Sequence, residues 1–274
     1  MSMKKVLGNL FDFYLKASIH VSFAVFALVQ MTFYFCRLPF DWTVSLLAFS
    51  GTLFSYNFIK YADYVVAHRR NLSPKIKAIL LLSVVALIVG MVSFFYLTFT
   101  AQLVTISLLV LAVLYAVPIS KRIPNLRNWS GLKVYIVCLC WATVTLIIPV
   151  FNAGIELSLD IWIKFLQRFI LVLILIGIFE IVDLQYDEKY LKTIPQLLGT
   201  RKTKWLLASL LIPFFVIEFF KVGFQPIQAW NNLILVCITL FFIQLASPKR
   251  SSYFSLFWVE SVPIYWWILV LLEG

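Results

Sequence analysis

The chain has 274 residues, of which 62% are hydrophobic and only 13% carry a charge, and its mean hydropathy is +0.96. This number of polar side chains is too small to cover the surface of a water-soluble globule of this size. Lipid must therefore solvate much of the chain. The net charge of +11 does not indicate nucleic-acid binding, because the cations lie in short segments between apolar runs.

Nine apolar runs are each long enough to form a transmembrane helix, which needs about 20 residues to cross the hydrocarbon layer. The first run is not a cleaved signal peptide, because it is long, lacks a small-residue cleavage pattern and is followed by similar runs. The spans leave no room for a soluble domain, so we predict one all-α transmembrane domain over residues 1–274. The predicted spans are 17–36, 43–63, 77–98, 101–119, 132–151, 160–182, 204–220, 229–247 and 253–272.

Lysine and arginine alternate from one side of these spans to the other. Short cytoplasmic loops carry an excess of both residues, so the alternation predicts a cytoplasmic N-terminus in a multi-pass protein of the cell (inner) membrane. The other side offers only Arg37, Lys164, Arg168 and Lys221. The basic side holds Lys4, Lys5, Lys16, Arg69, Arg70, Lys75, Lys77, Lys121, Arg122, Arg127, Lys133, Lys189, Lys192, Arg201, Lys202, Lys204, Lys249 and Arg250.

Three acidic residues, Glu180, Asp183 and Asp187, lie at the end of the sixth predicted span. Their spacings of three and four put them on one helical face. Two carboxylates one turn apart repel each other, but they suit Mg²⁺, a hard cation that prefers oxygen ligands. The alternative is an ordinary solvated helix end that Lys189 and Lys192 neutralise.

The sequence around these acids is similar to a known motif. An Asp-x-x-x-Asp is followed by a basic, Thr-containing stretch, a Pro, and Leu-Gly with a further Lys, which resembles the second aspartate-rich motif of the UbiA-type prenyltransferase superfamily. Nine helices with a cytoplasmic N-terminus also fit this family, as does Tyr115-Ala-Val-Pro118 before the fifth span. The matching residues are Asp183, Asp187, Lys192, Thr193, Pro195, Leu198, Gly199 and Lys202.

The resemblance implies a bundle of nine helices around a central cavity that opens to the cytoplasmic side and to lipid. Such proteins bind an isoprenyl diphosphate through Mg²⁺ held by two aspartate-rich motifs, ionise it, and let the carbocation attack a lipophilic acceptor. The chemistry agrees with the residues, because metal ions and Lys or Arg stabilise the negative charge of a leaving diphosphate. The implied partners are therefore an isoprenyl diphosphate, a lipophilic acceptor and membrane lipid.

The first motif departs from the family pattern at the end of the second span. The family has Asn, often with an adjacent Asp, and then Asp four and eight positions further on. Here Asn57 matches, but Phe58, Tyr61 and Val65 stand at the Asp positions. Asp63 remains, yet a helix turns about 100° per residue, so Asp63 lies some 200° around from Tyr61 and cannot replace it.

Lys60, in the same segment, allows two hypotheses. In the first, its ammonium binds phosphate as a point charge and does part of the work of a missing metal ion. In the second, it pairs with Glu180 or Asp183 and neutralises the buried acids, because either charge alone would cost several kcal/mol there. We favour a diverged enzyme, since a protein that only needed a folded bundle would have little reason to keep the long string after Asp187.

The sequence thus predicts a membrane prenyltransferase that acts by Mg²⁺-assisted ionisation. The alternatives are a UbiA-type terpene cyclase and a non-catalytic lipid-binding or scaffold protein on the same fold. A transporter is disfavoured, because no inverted repeat is evident. The predicted catalytic and metal-binding residues are Asp183, Asp187 and Asn57, and the predicted diphosphate-binding residues are Lys60, Arg69, Lys121 and Lys192.

Overall fold

The computed structural model describes residues 3–68, 71–117, 125–126, 129, 131–186 and 192–272. Within these ranges the chain forms eleven α-helices and no strand. A π-helical segment, Thr143–Ile147, joins α6 to α7; a 3-10 turn, Ile217–Phe220, follows α9; and a second π-helical segment, Phe254–Val259, precedes α11. The helices are α1 (Met3–Lys16), α2 (Ile19–Phe35), α3 (Trp42–His68), α4 (Pro74–Phe95), α5 (Phe99–Ala116), α6 (Leu132–Ala142), α7 (Ile148–Asn152), α8 (Leu159–Asp183), α9 (Ile194–Val216), α10 (Pro226–Leu245) and α11 (Val262–Leu271).

Helical segments lie at all nine predicted spans, and the all-α, multi-pass membrane class is confirmed. Seven segments of the described chain are long and apolar enough to cross a membrane, and an eighth is counted if α1 and α2 form one span broken by a 58° bend. α3 is not among them, because Ser, Thr, Asn and Lys side chains interrupt its apolar sequence. The count of nine and the cytoplasmic N-terminus stay predictions.

Three side chains of α3 hold the bend between α1 and α2, which we call the α1–α2 bend (residues 16–18). The backbone is left-handed at Ser18, with φ 59°, so α1 stops and α2 starts in a new direction. The last carbonyl groups of a helix have no partner within it, and α3 supplies donors for two of them. The hydrogen bonds run from Tyr61 Oη to Lys16 O (2.9 Å), from Asn57 Nδ2 to Ala17 O (3.0 Å) and from Lys60 Nζ to Ser18 Oγ (3.0 Å).

α8 lies at the centre of the bundle and packs against α6 and α9. Most of its residues are buried, including Ile174, Ile178 and Ile181, which are fully inaccessible. Gly177 brings α9 close, because a Cβ atom at this position would lie 2.5 Å from Leu207 Cδ2. The helix that ends in the predicted acidic motif is therefore fixed by close packing along its length.

α4 and α5 form the outer side of the bundle. Large apolar side chains on both helices are exposed, among them Leu81, Phe95, Phe99 and Leu109. So much contiguous exposed apolar surface would be a liability in water. Lipid is the solvent that suits it, in agreement with the membrane class.

A buried polar network ties α8 to the 3-10 turn and to α10. The Glu218 carboxylate, which is fully inaccessible, accepts hydrogen bonds from Lys164 (2.9 Å), Gln167 (2.8 Å), Asn232 (3.1 Å) and Lys221 (3.1 Å). Pairing of this kind offsets the cost of burying charges in a membrane bundle.

The network corrects one sequence-based assignment. Lys164, Arg168 and Lys221 entered the loop-charge argument as cations of the non-cytoplasmic side. Instead, Lys164 and Arg168 belong to α8 and are buried, and Lys221 hydrogen-bonds Glu218 and Gln228. Lys164 and Lys221 are placed by Glu218, and Arg168 donates to Thr145 O, so none of the three follows the rule for loop charges. Without these three cations, the contrast in loop charge between the two sides is larger.

Candidate functional site

A cavity of about 430 Å³ lies between α3, α5 and α6. This volume is within the range of small-molecule sites in proteins. Its walls are almost wholly apolar and are formed by residues such as Leu47, Gly51, Leu108, Ala112, Val137 and Val144. A long hydrocarbon chain is the kind of ligand that such a surface accommodates.

Lys60 is the charged side chain among the described residues that line this cavity. Its Nζ atom donates to Ser18 Oγ and lies 5.9 Å from the centre of the Tyr56 ring. Glu260, in the segment before α11, is the acidic group whose charge acts on it. The cavity therefore combines a long apolar wall with one cation, the arrangement that a lipid with an anionic head requires.

A second, smaller chamber of about 200 Å³ adjoins the first. The two share Tyr56, Val137 and Trp141 in their walls, and Trp141 Nε1 donates to Tyr56 Oη at 2.9 Å. The other walls come from the apolar face of α8, and Glu260 is the charged residue among the described residues that line this chamber. The two cavities thus meet at a pair of aromatic side chains, with a cation on one side and an acid on the other.

Glu180, the first acid of the predicted motif, connects three helices. Its Oε1 atom lies 3.0 Å from Lys133 Nζ at the start of α6, and its Oε2 atom accepts a hydrogen bond from Ile194 N at the start of α9 (3.2 Å). The partner of Glu180 is therefore Lys133, and the hypothesis that Lys60 pairs with Glu180 is wrong. The α8–α9 connection is anchored at both ends by this contact.

The remaining predicted site residues are only partly described. Asp183 is the last residue of α8 and is half-buried, and Lys192 precedes α9 with φ 45°. Asn57 and Lys60 lie together on α3, at the α1–α2 bend. Asp187, Arg69 and Lys121 lie outside the described residues.

The oxygen atoms of two of these residues suit a magnesium ion. Asn57 Oδ1 is buried and accepts no hydrogen bond from the described residues, and the Asp183 carboxylate ends α8. Carboxylate and amide oxygens are the ligands that Mg²⁺ prefers, so both residues fit the ion chemically. Elsewhere in the described ranges, no three His, Cys, Asp or Glu side chains form a metal-binding group, and Asp187 is not covered by that search. The magnesium site remains a prediction.

Sequence reasoning missed Tyr56 and Trp141, which line both cavities, and Glu260, which lines the smaller one. For Glu260 a signal was present, because an ionisable residue inside an apolar span is costly and usually functional. For the two aromatic residues there was none, since the chain has 26 Phe, 12 Tyr and 9 Trp and only the fold selects among them.

No protein-family model and no curated protein sequence matches the chain. Two solved structures match it along almost their whole length. One is the apo structure of a UbiA homolog from Aeropyrum pernix K1, with a TM-score of 0.62, 15% identity, and coverage of 95% of this chain and 98% of that one. The other is a digeranylgeranylglyceryl phosphate synthase studied in membranes, with a TM-score of 0.58, 14% identity, and coverage of 97% and 98%. The chain therefore has the fold of the UbiA-type membrane prenyltransferases, on a widely diverged sequence.

Proposed function

We propose that this chain is a membrane-embedded prenyltransferase that takes an isoprenyl diphosphate and transfers its prenyl group to a lipophilic acceptor. The observation that carries the proposal is the apolar cavity of about 430 Å³ with Lys60 in its wall, at the helix where the fold family has its first motif. We further propose that the site faces the cytoplasm in the cell (inner) membrane, as the loop charges predict.

The head of the substrate belongs at Lys60. An ammonium group has three donors, and one of them serves Ser18, so two remain for phosphate oxygens. Lys192, together with Arg69 and Lys121, is proposed to bind the same group. These cations would stabilise the negative charge that develops on the diphosphate as it leaves.

Asp183 and Asp187, with Asn57, are the residues that would hold Mg²⁺. When bound, the ion neutralises part of the charge on the diphosphate oxygens. Asn57 would contribute its Oδ1 atom, since its Nδ2 atom is engaged at the α1–α2 bend. The fixed charge of Lys60 would supply the part of this function for which the first motif lacks aspartates.

The prenyl group reacts as a cation within an aromatic enclosure. The bond between its first carbon and the diphosphate oxygen breaks, and the electron pair stays with the diphosphate. The ring faces of Tyr56 and Trp141 can attract the allylic cation that remains. The apolar walls keep water away from it, so the acceptor rather than water supplies the new bond.

One observation favours a second candidate, a non-catalytic lipid-binding protein. Tyr61, which stands at an aspartate position of the family pattern, donates its hydroxyl to Lys16 O. Asn57 likewise uses its amide at the α1–α2 bend. If the whole segment serves only to hold this bend, the cavity would bind a lipid without ionising it.

Diphosphate release separates these candidates. The protein, purified into nanodiscs, is incubated with geranyl, farnesyl and geranylgeranyl diphosphate, with Mg²⁺ or with EDTA. We expect Mg²⁺-dependent release with at least one of them, a loss of 10-fold or more in Lys60→Met, and a similar loss in Asp183→Asn. Lys249→Met, which removes an exposed loop cation, is the matched control and should behave like the wild type.

The outcomes distinguish three functions. Binding of the diphosphates without release, unchanged by Asp183→Asn, would contradict the enzyme and support a lipid-binding protein. Release without an added acceptor, accompanied by a cyclic hydrocarbon, would support a terpene cyclase. Release that depends on an added acceptor is the result expected for a prenyltransferase.

A further inference from the structure

Glu260 is an acid in an apolar chamber, and the described part of the chain offers its carboxylate no hydrogen-bond donor. The other walls of the chamber are Tyr56, Val137, Trp141 and four apolar residues of α8. Lys60, whose charge acts on Glu260, gives its hydrogen bond to Ser18 instead. A carboxyl group held in an apolar chamber without a hydrogen-bond partner costs free energy. A ligand that brings an O–H group into the chamber would recover part of that cost.

The chamber is smaller than the cavity that is proposed to hold the prenyl chain. Its volume is about 200 Å³, less than half of the roughly 430 Å³ of the larger cavity. It adjoins the larger cavity, with which it shares Tyr56, Val137 and Trp141 in its walls. A molecule in the chamber would therefore face the reacting end of a prenyl group across these residues.

From this arrangement we infer that the Glu260 chamber binds the acceptor substrate, and that the acceptor is an alcohol or a phenol whose O–H group donates to the Glu260 carboxylate. The inference rests on the proposed function for its catalytic step, although binding can be tested without it. It names a substrate class, a hydroxyl-bearing lipophile, and gives Glu260 a role that no residue of the predicted motifs fills.

The step balances with Glu260 as the proton acceptor. The carbon–oxygen bond to the diphosphate breaks with its electron pair on the diphosphate. A lone pair of the acceptor oxygen then forms a carbon–oxygen bond to the same carbon, and the O–H proton passes to the Glu260 carboxylate. The products are a prenyl ether and diphosphate, and the proton later leaves to solvent. A carboxylate held at the acceptor O–H is what general-base catalysis requires.

A matched pair of probes tests the binding claim. 4-Dodecylphenol and 4-dodecylanisole differ only in whether the ring oxygen carries a proton or a methyl group. Each is titrated into the full chain in nanodiscs, without any diphosphate, and its dissociation constant is measured by calorimetry. We expect the phenol to bind about 10-fold more tightly or better, because a hydrogen bond to a charged acceptor is worth that much.

Glu260→Gln keeps the shape of the side chain and removes its charge. A neutral hydrogen bond is about half as strong, so the preference for the phenol should fall to about threefold or less. Glu156→Gln, which changes an exposed loop glutamate, should keep the full preference. Equal binding of both probes by the wild type, or an unchanged preference in Glu260→Gln, would overturn the inference.

A double variant excludes the simplest rival, in which Glu260 only balances the charge of Lys60. Lys60→Met with Glu260→Gln removes both charges, so it should be more stable than Glu260→Gln alone under either explanation. If Glu260 contacts the acceptor, the double variant still lacks the preference for the phenol. If that preference returns with the second change, the acid only neutralises Lys60 and the inference fails.

Turnover supplies a readout that separates this inference from the proposed function. With geranylgeranyl diphosphate and 4-dodecylphenol, Glu260→Gln is expected to lose 10-fold or more of prenyl ether formation, and the acceptor-dependent release of diphosphate should fall with it. The dissociation constant of geranylgeranyl diphosphate alone should stay within about threefold of the wild type. Glu260→Asp should recover part of the ether. Absence of release in the wild type would contradict the proposed function but leave the binding result to decide the acceptor site. Prenyl ether formation within about threefold of the wild type in Glu260→Gln would overturn its role as proton acceptor.

Discussion

Replacing Glu180 tests whether the acidic motif is held in place by the contact between three helices. Its carboxylate lies 3.0 Å from Lys133 Nζ on α6 and accepts from Ile194 N on α9 at 3.2 Å. The two side chains are 6% and 18% exposed, so the ion pair is largely shielded from water. Glu180→Leu removes both interactions, whereas Glu180→Gln keeps an oxygen that can still accept from Ile194 N.

The structure gives a magnitude for each variant. Breaking a fully buried ion pair costs about 3–5 kcal/mol, and the partial exposure of Lys133 reduces this to about 2–3 kcal/mol. Losing the acceptor for a first-turn N–H adds about 1 kcal/mol. We therefore expect Glu180→Leu to lower the free energy of unfolding by about 3–4 kcal/mol and Glu180→Gln by about 2 kcal/mol.

Unfolding by SDS in mixed micelles measures both free energies. Glu156→Gln is the control, and a change at that exposed position should stay within about 0.5 kcal/mol. Adding Lys133→Met to Glu180→Leu removes the stranded cation and should recover at least half of the loss. If the free energy of unfolding of Glu180→Leu is within 1 kcal/mol of the wild type, the contact does not hold the motif. If Glu180→Gln and Glu180→Leu have the same free energy of unfolding, the hydrogen bond from Ile194 N contributes nothing to stability.

Three further changes probe the packing around the site in the same SDS unfolding assay. Glu218→Leu should cost about 3–5 kcal/mol, because it strands Lys164 in the core, and adding Lys164→Met should recover most of that; no recovery would mean that the hydrogen bonds matter and the charge does not. Gly177→Ala should cost about 1–3 kcal/mol despite the better helix propensity of Ala, because its Cβ would lie 2.5 Å from Leu207 Cδ2. A double-mutant cycle with Leu207→Ala should show a coupling energy of similar size. Additive effects of the two changes would contradict the clash. Asn57→Ala should cost about 1–3 kcal/mol by leaving two buried acceptors without a donor, and hydrogen exchange should rise in α1; unchanged exchange would show that Asn57 does not hold the bend.

Hydropathy alone located the helices of this fold, because the bilayer imposes a length and an apolar composition that can be read from single residues. What it could not locate were features that depend on distant partners. Lys164 looks like a charge that belongs near a loop, but Glu218, 54 residues further on, makes it a buried residue of α8. The amphipathic α1 was also missed, since it is too polar for the apolar-run criterion and begins before the first predicted span.

The candidate site was predictable where it depends on residues close together in the sequence. It was not predictable where it depends on contacts between several helices. The acids at 180 and 183 and the cation at 60 were found because charges at membrane depth are costly. The partners of these charges could not be identified, because they are distant in the sequence. Lys133 is 47 residues from Glu180, and Ser18 and Glu260 are 42 and 200 residues from Lys60. Nothing in the sequence indicates that a side chain of α3 will meet the end of α1.

That meeting explains in physical terms why the first motif departs from the family pattern. The carbonyl groups of Lys16 and Ala17 accept from Tyr61 and Asn57 of α3, and the Ser18 hydroxyl accepts from Lys60. Carbonyl groups at a helix end need such donors, because they have no partner within the helix. An ionised aspartate can only accept hydrogen bonds, so an aspartate at position 61 would oppose Lys16 O, whereas the Tyr61 hydroxyl satisfies it. A tyrosine at this position therefore provides a donor that an aspartate could not. In the proposed function, Lys60 supplies positive charge near the diphosphate, since it lines the cavity while it donates to Ser18.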